Sequence, residues 1–115
     1  MIAVKRAYEP AARADGTRIL VERLWPRGVK KQDLRLDAWA KEIAPSPALR
    51  TWYGHDVAKW TEFQRRYRAE LDAHPAALEP LLAAARRGRL TLVYAARDQE
   101  HNSARVLLRY LEKKL

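Results

Sequence analysis

"RILVERLWPRGVKK", Arg18–Lys31, starts as a buried strand and ends as a basic loop. Its front half, Ile19-Leu20-Val21, is an unbroken run of leucine and β-branched residues, the composition of a strand covered on both faces. Trp25-Pro26 then holds the backbone extended, because a proline ring disfavours helical geometry at the residue before it. Gly28 permits the turn that follows. A strand is therefore expected over Arg18–Trp25. The pattern recurs at "RLTLVYAA", Arg89–Ala96, and more briefly at "IAVKR", Ile2–Arg6. Strands apolar on both sides, alternating with helical segments, predict an α/β fold: a three-layer sandwich with a small, mostly parallel sheet of about three strands flanked by helices.

The helical segments follow from spacing. Asp33 is positioned to cap a helix through about Ile43, with Leu36, Trp39, Ala40 and Ile43 on one face. Pro45 and Pro47 end it. Asp56 caps the next, whose stripe is Trp60, Phe63, Tyr67 and Leu71. "HPAALEPLLAAARRG", His74–Gly88, reads as a third helix closed by Gly88. A helix-interior proline costs ~3 kcal/mol, so this helix is expected to begin near Pro80. The last segment puts Ala104, Leu107, Leu108, Leu111 and Leu115 on one face, and Lys113 and Lys114 suit the negative end of its dipole. Asp15-Gly16 marks a turn. No linker or repeat divides the chain, so 1–115 is expected to form a single α/β domain.

Composition narrows the function. The chain has 115 residues, 48% hydrophobic and 32% charged, which is globular rather than disordered. No window approaches the ~18 apolar residues of a membrane helix. The N-terminus shows no apolar run followed by a small-residue cleavage site. There is no cysteine, which excludes disulfides, thiolate nucleophiles and cysteine metal sites and fits a cytoplasmic setting. His55, His74 and His101 share no ligand spacing, and there is no glycine-rich phosphate loop, G-x-S-x-G or H-E-x-x-H, so neither metal nor cofactor is expected. Lys and Arg number 23 against 14 Asp and Glu, a net charge of +9 with a pI near 10.3. Such a surface attracts phosphate-rich partners.

The candidate site lies where charge meets strand ends. In open parallel sheets ligands bind beyond the carboxyl ends of the strands, where loops and helix N-termini converge. Glu22 and Arg23 come as one strand leaves the sheet, followed by Arg27, Lys30 and Lys31; another apolar run ends in Arg97, Asp98, His101 and Asn102. If those strands are parallel, one cleft holds Arg23, Arg27, Arg97, Asp98, His101 and Asn102. Arginine clamps a phosphate or carboxylate in bidentate fashion, which makes Arg23, Arg27 and Arg97 candidate anion ligands. Asp98 and His101 are candidates for proton transfer, although Asp98 is an excellent cap for the last helix and that role alone explains it, which would place His101 in the first turn. Asn102 can cap or orient a ligand.

"RILVERLWPRG" and "YAARDQEHN" match the patterns R-[IL]-L-V-x-R-L-W-P-R-G and Y-A-A-[RK]-D-x-x-H-N. From Ile2 to Leu111 the chain resembles the YeaO-like branch of the domain-of-unknown-function 488 family. That resemblance implies a small bacterial cytoplasmic protein with a three-layer α/β fold, and it brings no established activity. Its signature positions here are Arg23, Trp25, Pro26, Arg27, Gly28, Trp39, Asp98, His101 and Asn102. Relatives place a second histidine after the His-Asn pair, where this chain has Ser103, which argues against a paired-histidine site. Another branch carries a Cys-His pair near this point, and no cysteine exists here to serve it.

Two functions are thus expected of the sequence. The first is binding of an anionic small molecule, a nucleotide or sugar phosphate, at the strand ends, with acid-base catalysis by Asp98 and His101 as an extension. The alternative is a basic nucleic-acid-binding module without enzymatic activity, resting on the charge and on tryptophans able to stack with bases. Those tryptophans fall mostly on helical apolar stripes, and no known nucleic-acid motif is present. A protein-protein adaptor without chemistry is a third option.

Overall fold

A computed structural model describes all residues, 1–115. Four strands form one parallel sheet: β1 (Ile2–Arg6), β2 (Thr17–Leu20), β3 (Ala38–Trp39) and β4 (Leu90–Tyr94), in the order β1-β4-β2-β3. Five helices accompany it: α1 (Lys31–Leu34), α2 (Pro47–Tyr53), α3 (Trp60–Asp72), α4 (Pro75–Arg87) and α5 (Ser103–Lys114). The central pair is in register Ile19 to Leu92 and Leu20 to Val93.

Alternation along β2 and β4 divides the core. Ile19, Val21, Leu90, Leu92 and Tyr94 face the larger cluster, which Phe63, Tyr67, Leu81, Leu107 and Leu111 complete from the helices. Leu20 and Val93 point the other way, into a small cluster with Ala7 and Leu34 that Trp25 and Trp39 cover. One outer layer is therefore a helical slab. The other is thin, made of α1 and loops.

Buried charge ties the thin layer down. Asp15 accepts from Lys5 Nζ at 3.1 Å, from Arg18 Nη1 at 2.7 Å and from the Ala12 amide at 2.9 Å. Burial opposes ionisation of Asp15, but these donors outweigh it and hold its carboxyl below the usual value. Arg18, 3% exposed, uses Nε and Nη2 on the Leu34 carbonyl and so fastens the end of α1.

Several elements depart from their predicted form. The sheet has a fourth strand because the expected helix from Asp33 to Ile43 does not form. α1 lasts one turn and stops at Arg35 in a left-handed conformation, φ 48°. Asp37 then pairs with Arg18 through both its amide and its carboxylate, and Ala38–Trp39 runs beside β2. A helical face of Leu36, Trp39, Ala40 and Ile43 was thus spread over an extended strand and a 3-10 turn, Lys41–Ile43. β2 ends at Leu20 rather than Trp25, so Glu22 and Arg23 lie outside the sheet. α4 begins at Pro75, not near Pro80, with Pro80 on its exposed side. α5 is capped by Asn102, not Asp98, and His101 precedes the helix.

Candidate functional site

β2 and β4 are neighbours that send their connections to opposite faces: β2 leads to α1 in the thin layer, and β4 to α5 in the helical slab. A crevice opens where such connections diverge. Here it is a cleft of about 600 Å³ at the carboxyl ends of the two strands, lined among others by Glu22, Arg27, Arg50, His55, His101 and Ser103. Its walls include Trp25, Pro26, Pro45, Pro47 and Tyr53.

Glu22 sits at the junction of the strands. Its Oε2 accepts from the Ala95 amide at 2.7 Å, closing the end of β4. No side chain donates to either oxygen of this carboxylate. Burial pushes the Glu22 pKa above the ordinary glutamate value, against the pull of the Ala95 amide, the Arg50 and His55 charges and the Ala96 amide. The same residue's carbonyl accepts from Trp39 Nε1, locking β3 to the start of the loop. Trp25 Nε1 donates to Val29 O at 2.7 Å, and Tyr8 OH to Arg27 O at 3.1 Å, which fixes the basic loop over the cleft.

The other rim is a capping structure. Asp98 Oδ1 accepts from the amides of Glu100 and His101, both at 2.9 Å, and Oδ2 lies 3.0 Å from His101 Nδ1. The His101 amide, then the Glu100 amide, hold the Asp98 carboxyl below its ordinary value. Donation from Nδ1 to Asp98 leaves the His101 Nε2 as the free ring nitrogen. Trp60 packs edge-on against this ring, centroids 5.2 Å apart. Asn102 is buried; its side-chain oxygen accepts from the Arg105 amide and its Nδ2 donates to Asp98 O. α5 therefore starts at the cleft with Ser103 at its first turn.

Of the residues expected to share one cleft, Arg27, His101 and Asn102 line it, and Asp98 stands behind His101. Arg23 does not. It turns across the chain to the carbonyls of Ala44 and Pro45, at 3.2 and 3.4 Å, and borders a separate recess of about 200 Å³ with Ser46, Glu70 and His74. Its Nε is buried without a partner. Arg97 is exposed and outside the cleft. Sequence reasoning missed Arg50, His55 and Tyr53 because they come from α2 and the turn after it, distant in sequence from both strands. One local signal existed: Gly54-His55 permits consecutive left-handed residues, φ 53° and 57°, which end α2 at Tyr53.

Fold and site together define a small α/β domain with a cleft, lined by Glu22, Arg27 and Arg50, where two parallel strands end. The chain belongs to the DUF488-N3i family, described as the inactive DUF488-N3 subclade, whose model matches residues 1–115. It is 46% identical over 110 residues to "Uncharacterized protein YeaO" of Escherichia coli K12, covering 96% of each chain. It is also 41% identical over 110 residues to "Uncharacterized protein Rv3073c" of Mycobacterium tuberculosis H37Rv and to "Uncharacterized protein Mb3100c" of Mycobacterium bovis, 96% of this chain and 92% of each relative. No solved structure matches significantly.

Proposed function

We propose that the protein binds an anionic small molecule, of the nucleotide or sugar-phosphate type, in the cleft at the ends of β2 and β4. The observation that carries this reading is the convergence of Arg27, Arg50, His55 and the start of α5 on one cleft of about 600 Å³, a volume within the usual range for small ligands. The guanidinium groups supply charge and paired donors, and the helix start adds oriented amides. Binding without turnover is favoured over catalysis. Asp98 and His101 form an oriented acid-base pair, but no hydroxyl within the cleft hydrogen-bonds to His101 as a nucleophile would. The subclade's description as inactive agrees with that preference.

The nucleic-acid alternative stands second. Trp52 is stacked by Arg66, at 4.1 Å, and approached by Lys59; Trp25 and Trp39 pack on each other at 5.4 Å, and Trp60 on Phe63. These rings already serve the protein's own packing rather than standing free as base platforms. The deciding experiment titrates pyrophosphate, sugar phosphates and nucleotides into the protein, followed by amide NMR shifts. Shifts at Arg27, Arg50 and Ser103, abolished in the Arg27→Ala/Arg50→Ala double variant, support the proposal. Shifts that are absent, or unchanged in the variant, overturn it.

A further inference from the structure

We propose that the cleft selects a guanine mononucleotide, the base edge read by Glu22 and the phosphate held by Arg27, Arg50 and the start of α5; this rests on the anion-binding reading above.

Glu22 carries the selectivity. A carboxylate only accepts hydrogen bonds. Glu22 lines the cleft; its Oε2 holds the Ala95 amide, the Ala96 amide also acts on the carboxylate, and no side chain donates to either oxygen. Closing the Ala95 amide does not require a charge, since a glutamine oxygen would do it without burying one. The charge gains when a ligand brings neutral N–H groups against the carboxylate, because hydrogen bonds to an ionised acceptor are about twice as strong as neutral ones. The ligand must then carry donors for Glu22 and negative charge for Arg27, Arg50 and the start of α5, which line the same cleft.

Among nucleotides that pattern separates the purines. Guanine presents adjacent donors, N1–H and the 2-amino group, to a single carboxylate. Adenine presents the bare N1 lone pair beside its amine, which would face the carboxylate with a second acceptor. The cleft walls suit a flat ring: Trp25, Pro26, Pro45, Pro47 and Tyr53 line the cleft, and Tyr53 is itself stacked on Phe63 at 4.4 Å. A sugar phosphate offers hydroxyl donors to Glu22 but no planar face of that size.

Calorimetric titration of the intact chain with GMP, IMP, AMP and ribose 5-phosphate tests this. GMP is expected to bind tighter than AMP by about tenfold or more, the scale of one hydrogen bond to a charged group, with IMP between them. Glu22→Gln should bring GMP and AMP together. Arg27→Ala, at a cation that does not act on the Glu22 charge, should weaken both equally and leave their ratio unchanged. If AMP or ribose 5-phosphate binds as tightly as GMP while Arg27→Ala weakens them all, guanine selection is wrong and the anion site stands. If none of these ligands binds, nor pyrophosphate, both readings fail. Should Glu22→Gln not fold, the GMP, IMP and AMP series on the unaltered protein still decides the matter.

Discussion

At Glu22 the fold half-buries a carboxylate, and stability should register it. Burial raises its pKa above the reference value of 4.5, so the neutral acid is the form that folding prefers. That contribution is complete below the unfolded value and is lost as pH rises through the raised one. Glu22→Gln mimics the neutral form at every pH. Its melting temperature should match the unaltered protein near pH 4 and exceed it at pH 7; a variant less stable at pH 7 than at pH 4, relative to the unaltered chain, would show that Arg50 and His55 more than offset burial. Gly16 makes a different demand. It adopts φ 66°, and a Cβ there would overlap the Arg89 carbonyl, where Thr17 N joins the start of β4. Gly16→Ala combines an unfavourable conformation with a backbone clash, and chemical denaturation should show a loss of about 2 kcal/mol or more.

At the scale of elements, the start of α5 holds the cleft rim together. Asn102 is 4% exposed, caps the helix and anchors the Asp98 carbonyl. Asn102→Ala should cost about 1–2 kcal/mol, measured by denaturant unfolding, and should speed amide exchange at Arg105 more than at Tyr110. A loss spread evenly along α5 would mean that the cap does not act locally. Elements also mark where sequence patterns inform and where they fail. β2 and β4 were legible because a run such as Leu90-Thr91-Leu92-Val93-Tyr94 is buried on both sides, a constraint each residue carries alone. β3 was not, because two residues carry no period, and Trp39 and Ile43 fall at helical spacing by coincidence while serving different elements. Pro80 misled for a related reason: its missing N–H costs a helix already held by Leu78, Leu81 and Leu82 on the buried side less than an isolated one. Within the site, Arg27, His101 and Asn102 lie in the loops that leave β2 and β4 at their carboxyl ends, so their placement could be read from order. Arg23 could not, since its direction is set by the Ala44 and Pro45 carbonyls of a loop some twenty residues on.

For the molecule as a whole, local and global charge make separable contributions to anion binding. The net charge of +9 draws an anion from solution from every side, whereas only cleft residues hold it once bound. The fold supplies a clean separation. α4 ends at Arg87 and β4 begins at Leu90, so Arg87 and Arg89 stand at the amino end of the strand, across the sheet from the cleft at Ala95 and Ala96. Both are exposed. Arg87→Glu with Arg89→Glu removes four of the net charges without touching the cleft. In stopped-flow measurements with a fluorescent nucleotide at low salt, this variant should associate several-fold more slowly and dissociate at an unchanged rate, and the difference should vanish near 1 M salt, where the screening length falls to about 3 Å. Arg50→Ala should do the reverse, raising the dissociation rate with a smaller effect on association, because a contact made in the bound state acts mainly on escape. If the remote pair alters dissociation as strongly as Arg50 does, the anion is held by the basic surface at large and the cleft is not its site.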